Sequence, residues 1–249
     1  MSKRAQHREA KGVALSPDGR VLTHEQAQAF YNWMGKKQDW QAFYEAKATR
    51  ELIAHASFET AQAVFEFGCG TGAFAERLLS SSLSSQARYV AVDSSPTMIR
   101  LAQDRLTRFG SRVQVSQTDG SFQLAAASGL YDRFVSTYVA DLLSVSDIAS
   151  MLSEAHRLLR PEGLLCLVSL TPGPTWFSRR VTELWTGINW LAPSLVGGCR
   201  PLDLQALLPT DQWQLVFVNI VTAFGVPSEI VVAKPSVGGM AQAREEESQ

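Results

Sequence analysis

The 249-residue chain is poor in several things. It has three cysteines and four histidines. Three cysteines are too few, and odd in number, for a disulfide framework. Their placement in apolar or glycine-rich stretches predicts free thiols in a reducing compartment. No run approaches the ~20 apolar residues that span a bilayer, and Met1–Gly12 is polar, without the apolar core of a secretory signal. An excess of either charge is missing too: 23 Lys plus Arg stand against 24 Asp plus Glu, a formal net charge of -1. That balance argues against a dedicated nucleic-acid binder, which carries a basic bias. No His, Cys and Asp cluster has the spacing of a zinc site. A cytoplasmic protein with no stable membrane insertion and no metal is expected. What is present is 45% hydrophobic residues, enough for a full core, and 17 glycines.

The first 22 residues read as a flexible arm, with a turn at Ser16-Pro17-Asp18-Gly19. Thr23 and Gln26 have capping-box spacing, which predicts a helix through Met34 ended by Gly35. Asp39 can cap a second helix running to about His55. Their aromatics, among them Tyr31, Trp40 and Tyr44, serve either to pack on the core or to cover a ligand.

Strand-like and helix-like segments then alternate. Strands are expected at Ala63–Phe67, Tyr89–Val92, Val113–Gln117, Arg133–Val139 and Leu164–Leu170. Helices are expected at Ala73–Ser80, Pro96–Phe109 and Ser146–Leu159, and a turn at Pro161-Glu162-Gly163. Short apolar strands separated by helices predict a parallel sheet covered on both faces. Residues 171–210 are rich in Pro, Gly and Trp, with one helix expected at about Ser178–Leu191. Trp213–Thr222 and Glu229–Ala233 are strand-like, and the loop Phe224–Ser228 between them is too short for a crossover, so they pair antiparallel. Residues 236–249 read as a disordered, solvated tail.

The informative segment is Glu66-Phe67-Gly68-Cys69-Gly70-Thr71-Gly72, between a strand and a helix. Glycines there let a ligand approach the backbone and the free N–H groups of the helix N-terminus. Asp93 ends the second strand, where a carboxylate can accept hydrogen bonds from ribose hydroxyls. Asp119 follows the third, where it or its neighbouring amides can meet an adenine edge. These elements share the carboxyl edge of the sheet, where open α/β sheets bind ligands. A dinucleotide site prefers G-x-G-x-x-G; here the spacing is G-x-G-x-G, with Glu66 two residues ahead. A carboxylate there is a poor neighbour for a pyrophosphate and a good one for an ammonium or sulfonium.

With those residues in view, the chain resembles the class I S-adenosylmethionine-dependent methyltransferases. The resemblance runs from about Val64 to Ala233, through VFEFGCGTGAFAERLL, YVAVDSSPTMIRLAQDRL, VQVSQTDGS, YDRFVSTYVADLL and HRLLRPEGLLCLVSL. The branch most resembled is the small-molecule one near the ubiquinone and menaquinone methyltransferases. It implies a Rossmann-like, seven-stranded, mostly parallel sheet with helices on both faces and a C-terminal antiparallel hairpin. It also implies one domain over residues 23–235, with a helical cap at 23–60 and a cap insert at 171–210. S-adenosylmethionine would be the cofactor and S-adenosylhomocysteine its product. Gly68, Cys69, Gly70 and Gly72 would approach the methionine and ribose, and Glu66 would orient the loop or meet the amino group. Asp93 would bind the ribose; Ser94 and Met98 would flank the adenine; Asp119, Gly120 and Ser121 would line its edge. Tyr138 would face the methyl-transfer site, and Tyr31 would close over the cofactor. Catalytic candidates are Tyr138, Asp141 and Arg200, with no unambiguous base.

The function expected is methyl transfer to a small-molecule acceptor, neutral or apolar, by in-line displacement. The alternatives are an NAD-type oxidoreductase and a methyltransferase-like binding protein without turnover. Acceptor identity, the methylated atom and the oligomeric state are left open by the sequence. Of the remaining candidates, His156 is expected to be structural, His55 a cap or exposed, Cys69 a small loop residue and Cys166 strand core.

Overall fold

The structure is a computed structural model; it describes residues 25, 28–29, 32, 35, 42–124, 126–172 and 200–236. Seven strands form one sheet in the order β3-β2-β1-β4-β5-β7-β6. They are β1 (Ala63–Phe67), β2 (Arg88–Asp93), β3 (Val113–Gln117), β4 (Tyr131–Thr137), β5 (Leu159–Leu170), β6 (Trp213–Ala223) and β7 (Val226–Pro235). The first five pair in parallel, and β7 runs antiparallel to both β5 and β6. The helices are α1 (Ala42–His55), α2 (Ala73–Ser81), α3 (Pro96–Leu106), α4 (Val145–Leu158) and the short α5 (Leu204–Leu207). Of the expected first helix, Glu25, Gln28, Ala29 and Asn32 are described and helical; the expected arm, the helix at 178–191, the tail beyond Ser236, Tyr31 and Trp40 lie outside the described residues.

Alternation along the strands builds two cores. Val64, Tyr89, Ala91 and Cys166 face α1, α2 and α3, while Phe65, Phe134, Leu165 and Leu167 face α4. Helix α4 shows why such a segment folds as it does. Ile148, Met151, Leu152, Ala155 and Leu158 are buried on one stripe, and Ser144 caps the helix by accepting the Asp147 N–H at 3.1 Å. Burying about 2 kcal/mol of transfer free energy per large side chain makes that stripe the helix's main anchor.

Four expected boundaries move, each for a physical reason. Strand β4 covers 131–137, not 133–139, because Tyr138 turns into the left-handed region at φ 56°. The expected turn at Pro161-Glu162-Gly163 lies inside β5, since Tyr131 pairs with Leu159 and the register then slips to Arg133–Leu164. A bulge there absorbs the Pro-Glu-Gly residues without ending the strand. Helix α3 stops at Leu106 and tightens into a 3-10 segment, Thr107–Arg112, in which Gly110 has φ 57°. The hairpin turn is two residues, Phe224 and Gly225, both at positive φ, instead of five. This is the twist-matching geometry of tight hairpins.

Between β3 and β4 the described residues contain no helix. The crossover is a loop fastened to α4: Glu154 accepts the Leu124 N–H at 2.9 Å, and Arg157 donates to the Ala126 and Leu124 carbonyls at 2.8 and 3.2 Å. Under it lies a cavity of about 370 Å³, whose wall includes Val92, Gln117, Asp119 and Ser121 but none of the glycine loop and not Asp93.

Candidate functional site

The site is built where β1, β2 and β4 end. Strand β1 runs into Gly68, whose N–H donates to the Val92 carbonyl at 2.8 Å; the Cys69 N–H donates to the same oxygen at 3.0 Å. The loop is thereby tied to the end of β2 before α2 begins. Gly68 stands at φ 76°, and a Cβ there would run into the Val139 side chain. The loop packs against the β4 end with no room for a larger residue. Gly72 precedes α2 and has no side chain to cap it, which leaves the N–H groups of the first turn to meet an anionic group.

Asp93 holds the arrangement from β2. One carboxylate oxygen accepts the Gly70 N–H at 2.9 Å, and the other accepts the Ser95 N–H at 2.8 Å. It clamps the glycine loop to the start of α3. Burial raises its pKa, against the lowering effect of those donors. Ser95 caps α3 in turn, accepting the Met98 N–H at 3.2 Å. Ser95-Pro96 is a start signal legible in sequence that the motif reading passed over.

Glu66 lies beneath the loop, 1% exposed. Its hydrogen-bond partner is the Tyr89 hydroxyl at 3.0 Å. Register explains the pairing: Glu66 stands beside Ala91, and Tyr89 is one pleat back on the same face. Burial pushes the Glu66 carboxyl up to about 8, Tyr89 opposes the rise and Asp93 adds to it. The Cys69 thiol, near both carboxyls, is pushed up as well, by burial first. It is a buried small residue of the loop, and Cys166 is buried in β5. Neither is a ready thiolate at neutral pH.

The structure places the other expected residues as follows. The Ser94 carbonyl accepts from Gln28 Nε2 at 2.6 Å and from Gln117 Nε2 at 3.0 Å. Met98 is 1% exposed, in the first turn of α3. Asp119 is on the surface, accepting the Ser121 N–H at 2.8 Å, and this donor holds its carboxyl below the usual range. Gly120 between them has φ 87°. Asn32 and Gln28, one helical turn apart, reach the β2 end: Asn32 Oδ1 accepts from the Ser95 hydroxyl at 2.6 Å. That long-range contact carries no local signal.

On the other side, Tyr138 hydrogen-bonds Ser228 of β7 at 2.9 Å and meets the Tyr44 ring edge-on at 5.8 Å. Burial raises its phenol further above the ordinary range, so it stays protonated at neutral pH. Asp141 is fully buried, and the Arg200 N–H donates to its carbonyl at 3.0 Å. The Arg200 guanidinium donates to the Leu143 carbonyl. These two catalytic candidates are therefore neighbours. His156 packs edge-on against Trp213 at 5.3 Å, and His55 stacks on Phe217 at 3.7 Å. Among the described residues no group of His, Cys, Asp and Glu could hold a metal, and no helix is long and apolar enough to cross a membrane.

Residues 64–163 match the family described as methyltransferase domain. The trans-aconitate 2-methyltransferase of Azoarcus sp. (strain BH72) is 28% identical over 202 residues, covering 74% of this chain and 72% of that protein. The non-reducing polyketide synthase prhL of Penicillium brasilianum is 29% identical over 136 residues, which are 53% of this chain and 5% of the synthase. The chain thus spans about a twentieth of that synthase's length. The N-methyltransferase NodS of Bradyrhizobium japonicum WM9, solved with S-adenosyl-L-homocysteine, superposes with a TM-score of 0.57 at 19% identity, over 77% of this chain and 87% of that one. In strand order, glycine loop and matched domain the chain is similar to the class I S-adenosylmethionine-dependent methyltransferases.

Proposed function

We propose that the protein is a methyltransferase that moves a methyl group from S-adenosylmethionine to a small-molecule acceptor. The observation that carries this reading is the Asp93 clamp on Gly70 and Ser95, set beside the buried Glu66 under an uncapped helix start. The chemistry of this donor set fits the cofactor. Free N–H groups at α2 suit its carboxylate, and two acids with no cation against them among the described residues suit its ammonium and sulfonium. When bound, S-adenosylmethionine supplies a methyl group already activated by a sulfonium. The remaining task of the chain is to bind, align and exclude water.

The acceptor side is bounded by Tyr138, Tyr44 and Ser228. A protonated phenol paired with a serine orients an acceptor and does not deprotonate one. This arrangement favours an acceptor that is reactive without a base from the protein, such as an amine, thiolate or phenolate. The relative named trans-aconitate 2-methyltransferase supports a small molecule over a polymer. The chain-wide charge balance supports an acceptor that is neutral or apolar and not a nucleic acid. Buried free thiols support a cytoplasmic setting.

Calorimetric titration with S-adenosylhomocysteine and with NAD tests the reading. Micromolar or tighter binding of the first and none of the second is expected. The reverse would make the protein an oxidoreductase. Binding of S-adenosylhomocysteine without methyl transfer to any of a panel of amines, thiols and phenols would favour the non-catalytic alternative.

A further inference from the structure

A carboxyl taken out of water needs a cation or several donors to remain ionised. Glu66 is 1% exposed and has the Tyr89 hydroxyl as its hydrogen-bond partner. The titratable groups facing it are acids of one kind or another: Tyr89 and Asp93 from β2, Cys69 from the loop, and Cys166 of β5 beyond Tyr89. Ionised side chains of the surrounding elements are engaged elsewhere. Arg133 of β4 donates to the Ala56 and Ser57 carbonyls and to the Thr60 hydroxyl. Glu45 of α1 acts on Tyr138, and Arg77 of α2 donates to Thr49. Glu76 of α2 pairs with Arg105 and Arg108, and Arg105 also donates to the Thr71 hydroxyl of the glycine loop at 2.7 Å. Glu66 and Asp93 therefore press two carboxyls against one glycine loop, and among the described residues no cation pairs with either.

We propose that Glu66 is the proton-exchange group of this site, so that a cationic cofactor entering above the glycine loop displaces the Glu66 proton to solvent. The inference rests on the S-adenosylmethionine reading and adds to it a charge requirement. The exchange balances simply: a protonated carboxyl plus a free cation gives a carboxylate–cation pair plus one proton taken by the buffer. Burial that lifts the carboxyl to about 8 leaves it mostly protonated at pH 7 before binding. About 0.9 proton is then released per cofactor bound, while the cofactor's own amino group takes up on the order of a tenth. Affinity should rise by up to about tenfold per pH unit between roughly pH 6 and 8 and fall again above, where the free cofactor loses its ammonium proton.

The test is calorimetry of the full chain with S-adenosylmethionine at pH 7 in phosphate, Hepes and Tris. The observed enthalpy plotted against the buffer's ionisation enthalpy reads the proton count. We expect close to one proton released by the wild type and close to none by Glu66→Gln. 5′-Methylthioadenosine, which carries neither the ammonium nor the sulfonium, should bind with no release and with affinity independent of pH. If Glu66→Gln fails to fold, difference infrared spectra of the wild type serve instead, and the protonated-carboxyl band should vanish on binding. Tight S-adenosylmethionine binding with no buffer dependence, or release that persists in Glu66→Gln, would overturn the proposal and leave the cofactor reading intact. Absence of S-adenosylmethionine binding would overturn both.

Discussion

Replacing Gly68 with alanine makes a perturbation whose cost can be split into two parts. The residue stands at φ 76°, where an L-residue pays about 1–2 kcal/mol. Its new Cβ would also overlap Val139 Cγ2 and lie 3.2 and 3.3 Å from Val139 Cγ1 and Cβ. Overpacking of this kind costs about 1–3 kcal/mol, because Val139 is packed against the core cluster that contains Phe65, Phe67 and Phe134. Gly68→Ala should therefore destabilise by roughly 2–5 kcal/mol, the two parts together. A double-mutant cycle with Val139→Ala separates them. Trimming the valine should cut the Gly68→Ala penalty to the conformational part, a coupling of about 1–3 kcal/mol. Gly129→Ala is the control: it also has a positive φ, at 65°, but its Cβ would meet nothing within 4 Å, so only the conformational part remains. Urea unfolding of the four cycle members and the control gives every value needed. A Gly68→Ala penalty that is the same in both backgrounds, to within about 0.5 kcal/mol, would refute the steric reasoning.

Other outcomes follow from the same geometry. Asp93→Ala should weaken S-adenosylhomocysteine binding by roughly 1–3 kcal/mol in calorimetry, the scale of charged hydrogen bonds lost from the Gly70 clamp and the ligand; unchanged affinity would mean the clamp does not shape the site. Arg133→Met should lower the stability to urea by about 2–4 kcal/mol, since it strips charged donors from the Ala56 and Ser57 carbonyls at a buried position. Ser95→Ala should cost about 1 kcal/mol through the α3 cap, read by thermal unfolding. The ligand-free protein should lose stability as pH rises from about 4.5 to 8: the folded state keeps the Glu66 proton that the unfolded chain releases, at up to about 1.4 kcal/mol per pH unit, and Glu66→Gln should flatten that slope.

How much of this was legible in the chain can be argued residue by residue. Strands β1 and β3 fall on the residues their apolar patterns mark, because Gly68 and the polar run after Gln117 end them locally. The end of β4 was not legible. Tyr138 and Val139 continue an apolar strand pattern, and only a backbone dihedral forced by the Tyr138 N–H bond to Val168 and the hydroxyl bond to Ser228 stops the strand. Likewise Pro161-Glu162-Gly163 has the composition of a turn, and the pairing of Tyr131 with Leu159 overrides it. Local propensity loses where a distant strand supplies the hydrogen bonds. In the site, spacing located Asp93 but could not choose between a ligand and the backbone as its partner. The structure shows both its oxygens engaged by amides.

The same distinction separates the net charge of the chain from the charge of its site. A count of 23 cations against 24 acids describes a nearly neutral protein. The count conceals where the cations go. Arg105 and Arg108 pair with Glu76, Arg157 with Glu154 and Arg160 with Asp132, and Arg105 reaches the glycine loop at the Thr71 hydroxyl, at 2.7 Å. Glu66 and Asp93 are left to each other, to Tyr89 and to backbone amides. Two acids this far out of water, with no counter-ion among the described residues, are a cost in the empty protein, and each must be offset by a proton or by a donor. A ligand that brings its own positive charge removes that cost. Selectivity for a cation over a neutral adenosine then comes from an unfavourable term in the empty protein as well as from contacts made on binding. The same term makes the site's preference depend on pH, which contact geometry alone would not.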